Sequence, residues 1–400
     1  MKKVNLGLLG FGTVGQGVAK IIGEKSDSLG KYLGVELVVK RALVKDISKT
    51  REVKLNESAY TLDYLDIVND PEIDIVIELT GCIDEAYKMI TESLNAGKHV
   101  VTANKAVISQ YFEEFTALAK EKGLNFLYEA SVGGGIPIIK PLYDVIKLND
   151  VKRVRGIMNG TCNYILTNMT QDGADYFDVL KEAQKLGYAE ADPSSDVDGF
   201  DTMRKLRILS TIAFKQPIME DEIIMGGISK LNALDINLLK GLGRVIKLIG
   251  DAWVEDDKVK AVVQPVAVHS GSYFSSVNQA YNSITVQGDM VGELKFYGSG
   301  AGMLPTANAV LTDCMDIVLQ NQKPETYGIG LRRDVDSNSI SGEFYVRYDD
   351  GKVDLDDLKD RELNENPKVI VTKRVNLAEV QEKLANDENA SVVRLESEDY

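Results

Sequence analysis

Gly10-Phe11-Gly12-Thr13-Val14-Gly15 constrains this chain more than any other stretch. These residues spell G-x-G-x-x-G. They follow an apolar run, Val4–Leu9, and lead into a helical pattern through Val18, Ile21 and Ile22. Strand, glycine turn and helix in that order form a nucleotide-binding start. The glycines admit a pyrophosphate to the backbone, and the helix N-terminus offers free N–H groups at its positive dipole end. Without a ligand the same residues would be a tight turn in a doubly wound fold.

The alternation continues. A second strand is expected at Glu36–Val44, where an acid usually meets the ribose of NAD and a cation the 2′-phosphate of NADP. Its end offers Arg41, Lys45 and Asp46, so both cofactors stay open. Ile73–Leu79 reads as a third strand, with Thr80 at its carboxyl end, where ligands of such sheets bind. A helix through Met89–Leu94 leads to a strand over Gly97–Thr102 and then to Lys105, which would either face the nicotinamide end of a bound cofactor or be an ordinary solvated strand-end lysine. A helix at Glu113–Lys122 and a strand at Asn125–Tyr128 complete a βα pattern that implies a parallel sheet.

Composition narrows the chemistry. A length of 400 residues accommodates two or three domains. The formal charge of −15 disfavours nucleic acid and anionic membranes as partners. No apolar run is long enough for a transmembrane helix, and no cleavable signal follows the basic start, which points to the cytoplasm. The 3 cysteines lack CxxC spacing, and only 2 histidines are present. Zinc sites and Ser-His-Asp machinery therefore lack material, and lysines or carboxylates are left to move protons.

After Tyr128, the run Glu129-Ala130-Ser131-Val132-Gly133-Gly134-Gly135-Ile136-Pro137 suits either an interdomain hinge or a set of exposed carbonyls around a monovalent cation. At Gly156–Tyr164 a strand enters a helix, with Asn159 or Thr161 as its cap. Asp192, Asp196, Asp198 and Asp201 lack EF-hand spacing and read as a solvated loop. Asp201 opens a helix in which Lys205 shares its face; for such a pair a surface ion pair is the ordinary expectation. Strands are expected at Lys260–His269, Ser283–Gln287 and Glu293–Tyr297, then a helix from Pro305 that returns to the first domain. The tail, 331–400, carries 18 acids against 11 bases, so it reads as a separate module. Its expected order is strand Glu343–Tyr348, helix Leu355–Leu363, strand Val369–Thr372, helix Leu377–Ala385 and strand Ser391–Leu395.

Taken together, GFGTVG, VIELTGC, GKHVVTANKAVIS, YEASVGGGIPIIKPL, GIMNGTCNYILTNM, GYAEADPSSDVDGFDTMRK and VGELKFYGSGAGMLPTANAV resemble homoserine dehydrogenase over about residues 4–320. The resemblance implies an α/β protein. A Rossmann-type dinucleotide-binding domain spans 1–135, with the helix 305–320 added to it. An α+β substrate and dimerisation domain spans 136–304, and a shortened ACT-like module spans 331–400. It implies interconversion of L-homoserine and L-aspartate 4-semialdehyde with NADP or NAD, and a homodimer or higher oligomer. It further implies that Lys205 and Lys105 are catalytic and that Glu190, Asp201 and Asp196 bind substrate. Gly187 and Gly302 would line the cofactor cleft with the glycine loop, Thr80, Arg41 and Lys45. Glu129, Val132, Gly134 and Ile136 would hold a sodium-type ion. Against this stand another Rossmann-fold oxidoreductase and a non-catalytic dinucleotide sensor.

Overall fold

Apolar strands that alternate with amphipathic helices build the first of two compact units. A computed structural model of the chain describes residues 1–320 and 332–397. The first unit takes in Met1–Asp144, Lys215–Pro217 and the segment that begins at Gly298; the second takes in Val145–Phe214, Ile218–Tyr297 and the remaining described residues of the tail.

In the first unit the order is β1 (Lys2–Leu9), α1 (Thr13–Leu33), β2 (Val35–Leu43), β3 (Tyr60–Thr61), α2 (Leu65–Val68), β4 (Ile75–Glu78), α3 (Asp84–Asn95), β5 (His99–Thr102), α4 (Lys105–Lys122), β6 (Phe126–Leu127) and α5 (Ile139–Leu148). The strands form one parallel sheet, β3-β2-β1-β4-β5-β6. The order reverses direction between β1 and β4, and the crevice at the carboxyl ends of such neighbours is where this topology receives ligands. β4 is buried throughout, as expected of a strand covered on both faces. The helix Met303–Leu319 packs on α1. Gly17 permits the approach: a Cβ there would lie 2.7 Å from the Met303 carbonyl oxygen and 2.9 Å from Ala307 Cβ.

The second unit is organised around an 11-stranded mixed sheet. Its elements are β7 (Val151–Ile157), α6 (Gly160–Asp172), α7 (Tyr176–Lys185), α8 (Ser194–Val197), α9 (Phe200–Phe214), β8 (Ile224–Met225), α10 (Ala233–Gly241), β9 (Arg244–Glu255), β10 (Lys258–His269), β11 (Tyr281–Gly288) and β12 (Gly292–Ser299). The tail adds β13 (Ser341–Tyr348), β14 (Lys359–Asn364), β15 (Lys368–Thr372), β16 (Val375–Asn376), a helix at Leu377–Lys383 and β17 (Ser391–Leu395). The main path runs β12-β11-β7-β9-β10-β17-β13-β15-β14.

Two sequence expectations change here. β9, which pairs with β10 along its whole length, is absent from the sequence reading because Lys247 and Asp251 interrupt its apolar pattern; both are buried on specific partners. The tail has four principal strands and one helix, in place of three strands and two helices. Leu355 and Leu358 enter the apolar cluster of the tail, and the residues that follow, read as the end of a helix, pair with β15 instead. The tail is also continuous with the sheet, since β17 lies parallel to β10 at Val266 and Ala267. Among the described residues, no helix is long and apolar enough to cross a membrane.

Candidate active site

In the first unit the site begins with backbone. Gly10 adopts φ +114°, open to glycine alone at little cost, and lets β1 turn sharply into α1. A Cβ at Gly15 would meet the Gly10 carbonyl oxygen at 2.6 Å, whereas one at Gly12 would meet nothing within 4 Å. Gly15 therefore serves the turn and Gly12 leaves space above it. Gly12 is the N-cap of α1 and supplies no side-chain bond, so the first-turn amides remain for a ligand. Phe11 is buried edge-on to Tyr60, while Thr13 is exposed and Val14 half-buried at the helix entry.

The carboxyl ends of β4 and β5 are tied by Glu78, which is fully buried. Its Oε1 accepts the Thr80 amide and hydroxyl, each at 2.6 Å, and its Oε2 accepts the Thr102 hydroxyl at 2.7 Å. Thr102 Oγ1 accepts the Asn104 amide at 3.0 Å; Asn104 Oδ1 accepts the Val107 amide and Nδ2 donates to the Cys82 carbonyl. Asn104 is thus the N-cap of α4, and half-buried Lys105 is that helix's first residue. A cation there opposes the helix dipole, so helix stability does not account for it. Glu78 and Asn104 went unassigned in the sequence; an acid inside the apolar run IDIVIEL was the available signal.

The cations near β2 separate. Arg41 Nε lies 3.5 Å from Asp70 Oδ2, so that side chain turns toward the loop after α2. Lys45 stands exposed beyond the end of β2. Asp46 is occupied locally: its Oδ1 accepts the Ser48 amide and hydroxyl, which hold the carboxyl below its ordinary range.

Glu129 is buried, and its carboxylate accepts the amides of Ile138, Ile139 and Lys140 at 2.6, 2.8 and 2.8 Å. Burial pushes its titration up, against the pull of those three bonds. The carboxylate therefore caps α5. Val132, Gly134 and Ile136 are buried too, and among the described residues no hydrogen bond ends on their carbonyl oxygens. Buried carbonyls of this kind call for a partner. Gly302, at φ +124°, is the N-cap of the helix Met303–Leu319.

In the second unit the site is made of side chains. Lys205, on α9, is 8 % exposed and Asp201 is 4 % exposed, so the pair is a buried one and the surface expectation is corrected. Lys205 Nζ donates to Asp201 Oδ2 and to the Met158 carbonyl, both at 2.7 Å. Its third N–H has no acceptor among the described residues. Asn159 Nδ2 donates to Asp201 Oδ2 at 2.9 Å and to Asp196 Oδ1 at 2.7 Å, while its Oδ1 caps α6 on the Cys162 amide. Asn282 donates to the same Met158 carbonyl at 2.9 Å. Asn159 was expected only as a cap; its second role requires the fold. The cap of α6 is Asn159 and not Thr161, whose hydroxyl donates to the Tyr188 carbonyl.

Glu190 lies between α7 and α8 with its carboxylate exposed, and Gly187, at φ +79°, turns the same loop. Thr161 and the Tyr164–Tyr188 ring pair, 5.0 Å apart, pin this loop to α6. The Asp192–Asp201 run is a graded one and not a uniform solvated loop: Asp192 is exposed, Asp196 and Asp198 are half-buried, and Asp201 is buried. Among the described residues, no group of three His, Cys, Asp or Glu is arranged to hold a metal.

Comparison with known proteins matches both units. Residues 10–129 match the family "Homoserine dehydrogenase, NAD binding domain", and 137–315 match "Homoserine dehydrogenase". The homoserine dehydrogenase of Bacillus subtilis is 41% identical over 347 residues, 87% of this chain and 78% of that protein. The crystal structure of a homoserine dehydrogenase from Thiobacillus denitrificans superposes with a TM-score of 0.90 at 33% identity, covering 99% of each chain. A hyperthermophilic archaeal homoserine dehydrogenase in complex with NADPH gives 0.68 at 29% identity, over 81% of this chain and 100% of that one.

Proposed function

The chain belongs to the homoserine dehydrogenase family, and from that premise we propose how its residues carry the reaction between L-homoserine and L-aspartate 4-semialdehyde. The protein is an NAD(P)-dependent oxidoreductase of amino-acid biosynthesis acting on a CH–OH group; neither a non-catalytic sensor nor an unrelated Rossmann enzyme fits the family match. When bound, the nicotinamide cofactor supplies the hydride acceptor for the alcohol carbon.

The observation that carries the residue assignment is the buried chain Asn159–Asp201–Lys205–Met158. Two of the three N–H groups of Lys205 are fixed on Asp201 and Met158, and the third is left for the substrate hydroxyl. Losing that proton is what oxidation of an alcohol requires, and an adjacent cation makes the loss easier. In the direction of aldehyde reduction the ammonium gives its third proton to the carbonyl oxygen as hydride reaches the carbon; in the direction of oxidation Nζ, having first released that proton to water, takes the hydroxyl proton in its place.

Lys105 holds the substrate oxygen and its developing charge. Glu190, exposed and without an ion pair among the described residues, binds the substrate ammonium, with Asp196 beside it. The glycine loop from Gly10 to Gly15 and Thr80 cradle the dinucleotide, and Gly187 and Gly302 are assigned to its binding as well. Lys45 is better disposed than Arg41 to meet a 2′-phosphate. The buried carbonyls of Val132, Gly134 and Ile136, with that of Glu129, suit a sodium-type ion that would stiffen the entry to α5. The acting form is a cytoplasmic homodimer or higher oligomer.

Initial rates with L-homoserine and NADP+ or NAD+ test this reading. Homoserine-dependent reduction of at least one cofactor is expected; its absence with both would end the assignment.

A further inference from the structure

Six of the chain's 13 arginines line one cavity: Arg153, Arg155, Arg244, Arg361, Arg374 and Arg394. The cavity, of about 500 Å³, lies wholly within the second unit, where β7 and β9 meet the tail strands. No lysine lines it, although lysines outnumber arginines in the chain. That selection matters, because the planar guanidinium presents paired donors that match carboxylate and phosphate oxygens, while an ammonium is a hydrated point charge.

The charges do not cancel. Asp251, Glu343 and Glu396 are the acids of the cavity wall, so six cations face three anions in a protein of net charge −15. The buried acids belong to the framework. Asp251 takes a two-point bond from Arg153 and lies 3.7 Å from Arg155 Nε; Glu396 Oε1 accepts Arg155 Nη1 at 2.7 Å. Burial pushes the Asp251 carboxyl up, yet the charges of Arg153, Arg155 and Arg394 outweigh it and keep the group below its ordinary range. Arg153 and Arg394 both approach the Trp253 ring, at 5.7 and 5.4 Å, and Arg244 donates to the carbonyls of Ala267 and Glu396.

Arg361 and Arg374 differ. Both are exposed on the tail, and among the described residues neither makes an ion pair. The Glu255 carboxyl, held down chiefly by Lys260, also feels the Arg374 charge, yet neither Arg361 nor Arg374 closes an ion pair among the described residues, and both stand over a wall whose other arginines are already fixed in place. Clustering like charges is unfavourable on its own, and the gain that offsets it is the recognition of a counter-charge.

We propose that this cavity binds a small, multiply charged anion bearing phosphate or carboxylate groups, gripped by Arg361 and Arg374 against the framework of Arg153, Arg155, Arg244 and Arg394. Neither Lys205 nor any residue of the glycine loop lines this cavity, and the proposal does not depend on which cofactor the enzyme prefers.

Calorimetric titration of the full chain, saturated with NADP+ and at constant ionic strength near 0.15 M, tests it with inorganic pyrophosphate and with citrate as probes. At least one probe is expected to bind with a Kd of about 1 mM or tighter. In the variant Arg361→Ala/Arg374→Ala that affinity is expected to fall at least tenfold, with unfolding midpoint and homoserine turnover unchanged. Binding of pyrophosphate alone assigns a phosphate ester, and binding of citrate alone a polycarboxylate. Weaker binding of both probes, or equal binding by the double variant, would overturn the proposal.

Discussion

The two units build their candidate sites in opposite ways. The first uses backbone at a rim: a glycine turn, two helix starts, and a lysine at the first position of α4. The second uses side chains in an interior: a lysine in mid-helix whose nitrogen is fixed by a carboxylate and a carbonyl. At the rim, function is lost by adding atoms. In the interior it is lost by removing one polar group, because the partners left behind stay buried and unsatisfied.

The strongest test of this contrast is Lys205→Ala, which should lower kcat by about 10²–10⁴-fold, the usual contribution of general acid–base catalysis, while leaving the cofactor KM near wild type. A matching loss of cofactor affinity would show that the interior and the rim are one device. Asn159→Ala comes next. It removes the donor to Asp201 and Asp196 without touching the lysine, and a charge-assisted bond of about 1.5–3 kcal/mol corresponds to a drop of roughly 10–100-fold in kcat. Loss of the α6 cap lowers the unfolding midpoint in either case, so the discriminating readout is kcat: a purely structural role for Asn159 would leave kcat and its pH profile in place.

Lys247 sharpens the interior half. It is buried on the carbonyl of Val277 and the side-chain oxygens of Asn163 and Asn278, with no carboxylate, and burial lowers its titration to about 8. Its folded-state value lies below its unfolded one, so the cost of holding the ammonium is full below pH 8 and fades as the pH rises toward 10.5. Between pH 7.5 and 10 the wild type should gain about 2 kcal/mol of stability relative to Lys247→Met in urea unfolding. A pH-independent difference would mean that the charge is already compensated.

The smallest effect belongs to the rim. Gly12→Ala adds a methyl where the protein itself offers no contact within 4 Å. The unfolding midpoint should hold while the cofactor KM rises about tenfold, equivalent to roughly 1.4 kcal/mol. An unchanged KM would place the dinucleotide elsewhere.

The same contrast explains what the sequence could tell. The rim is local: strand, glycine turn and helix sit next to one another in the chain, so GFGTVG and the strand IDIVIEL could be read directly. The interior is assembled from distant segments. Asp201 and Lys205 are four residues apart and were visible as a pair, but Met158, Asn159 and Asn282 come from a strand end, a helix cap and another strand. β9 was hidden by its two buried charges, and the acidic run around Leu355 and Leu358 imitates an amphipathic helix until those leucines find the tail's apolar cluster. Glu78 is not legible in the sequence, because a fully buried acid inside a strand has no meaning until Thr80 and Thr102 are brought to it.

The seam at Gly17 has a consequence for how the chain reaches this state. The helix that α1 packs against begins at Met303, so the apolar face of α1 waits for residues most of the chain away. Loop-closure entropy of that length must be met before the contact contributes anything, and contacts of high sequence separation slow folding. Nucleotide-unit segments made early should therefore pass through a state with α1 docked on the sheet on one side and bare on the other. The glycine that allows two helices to touch thereby joins segments made at opposite ends of the described first unit.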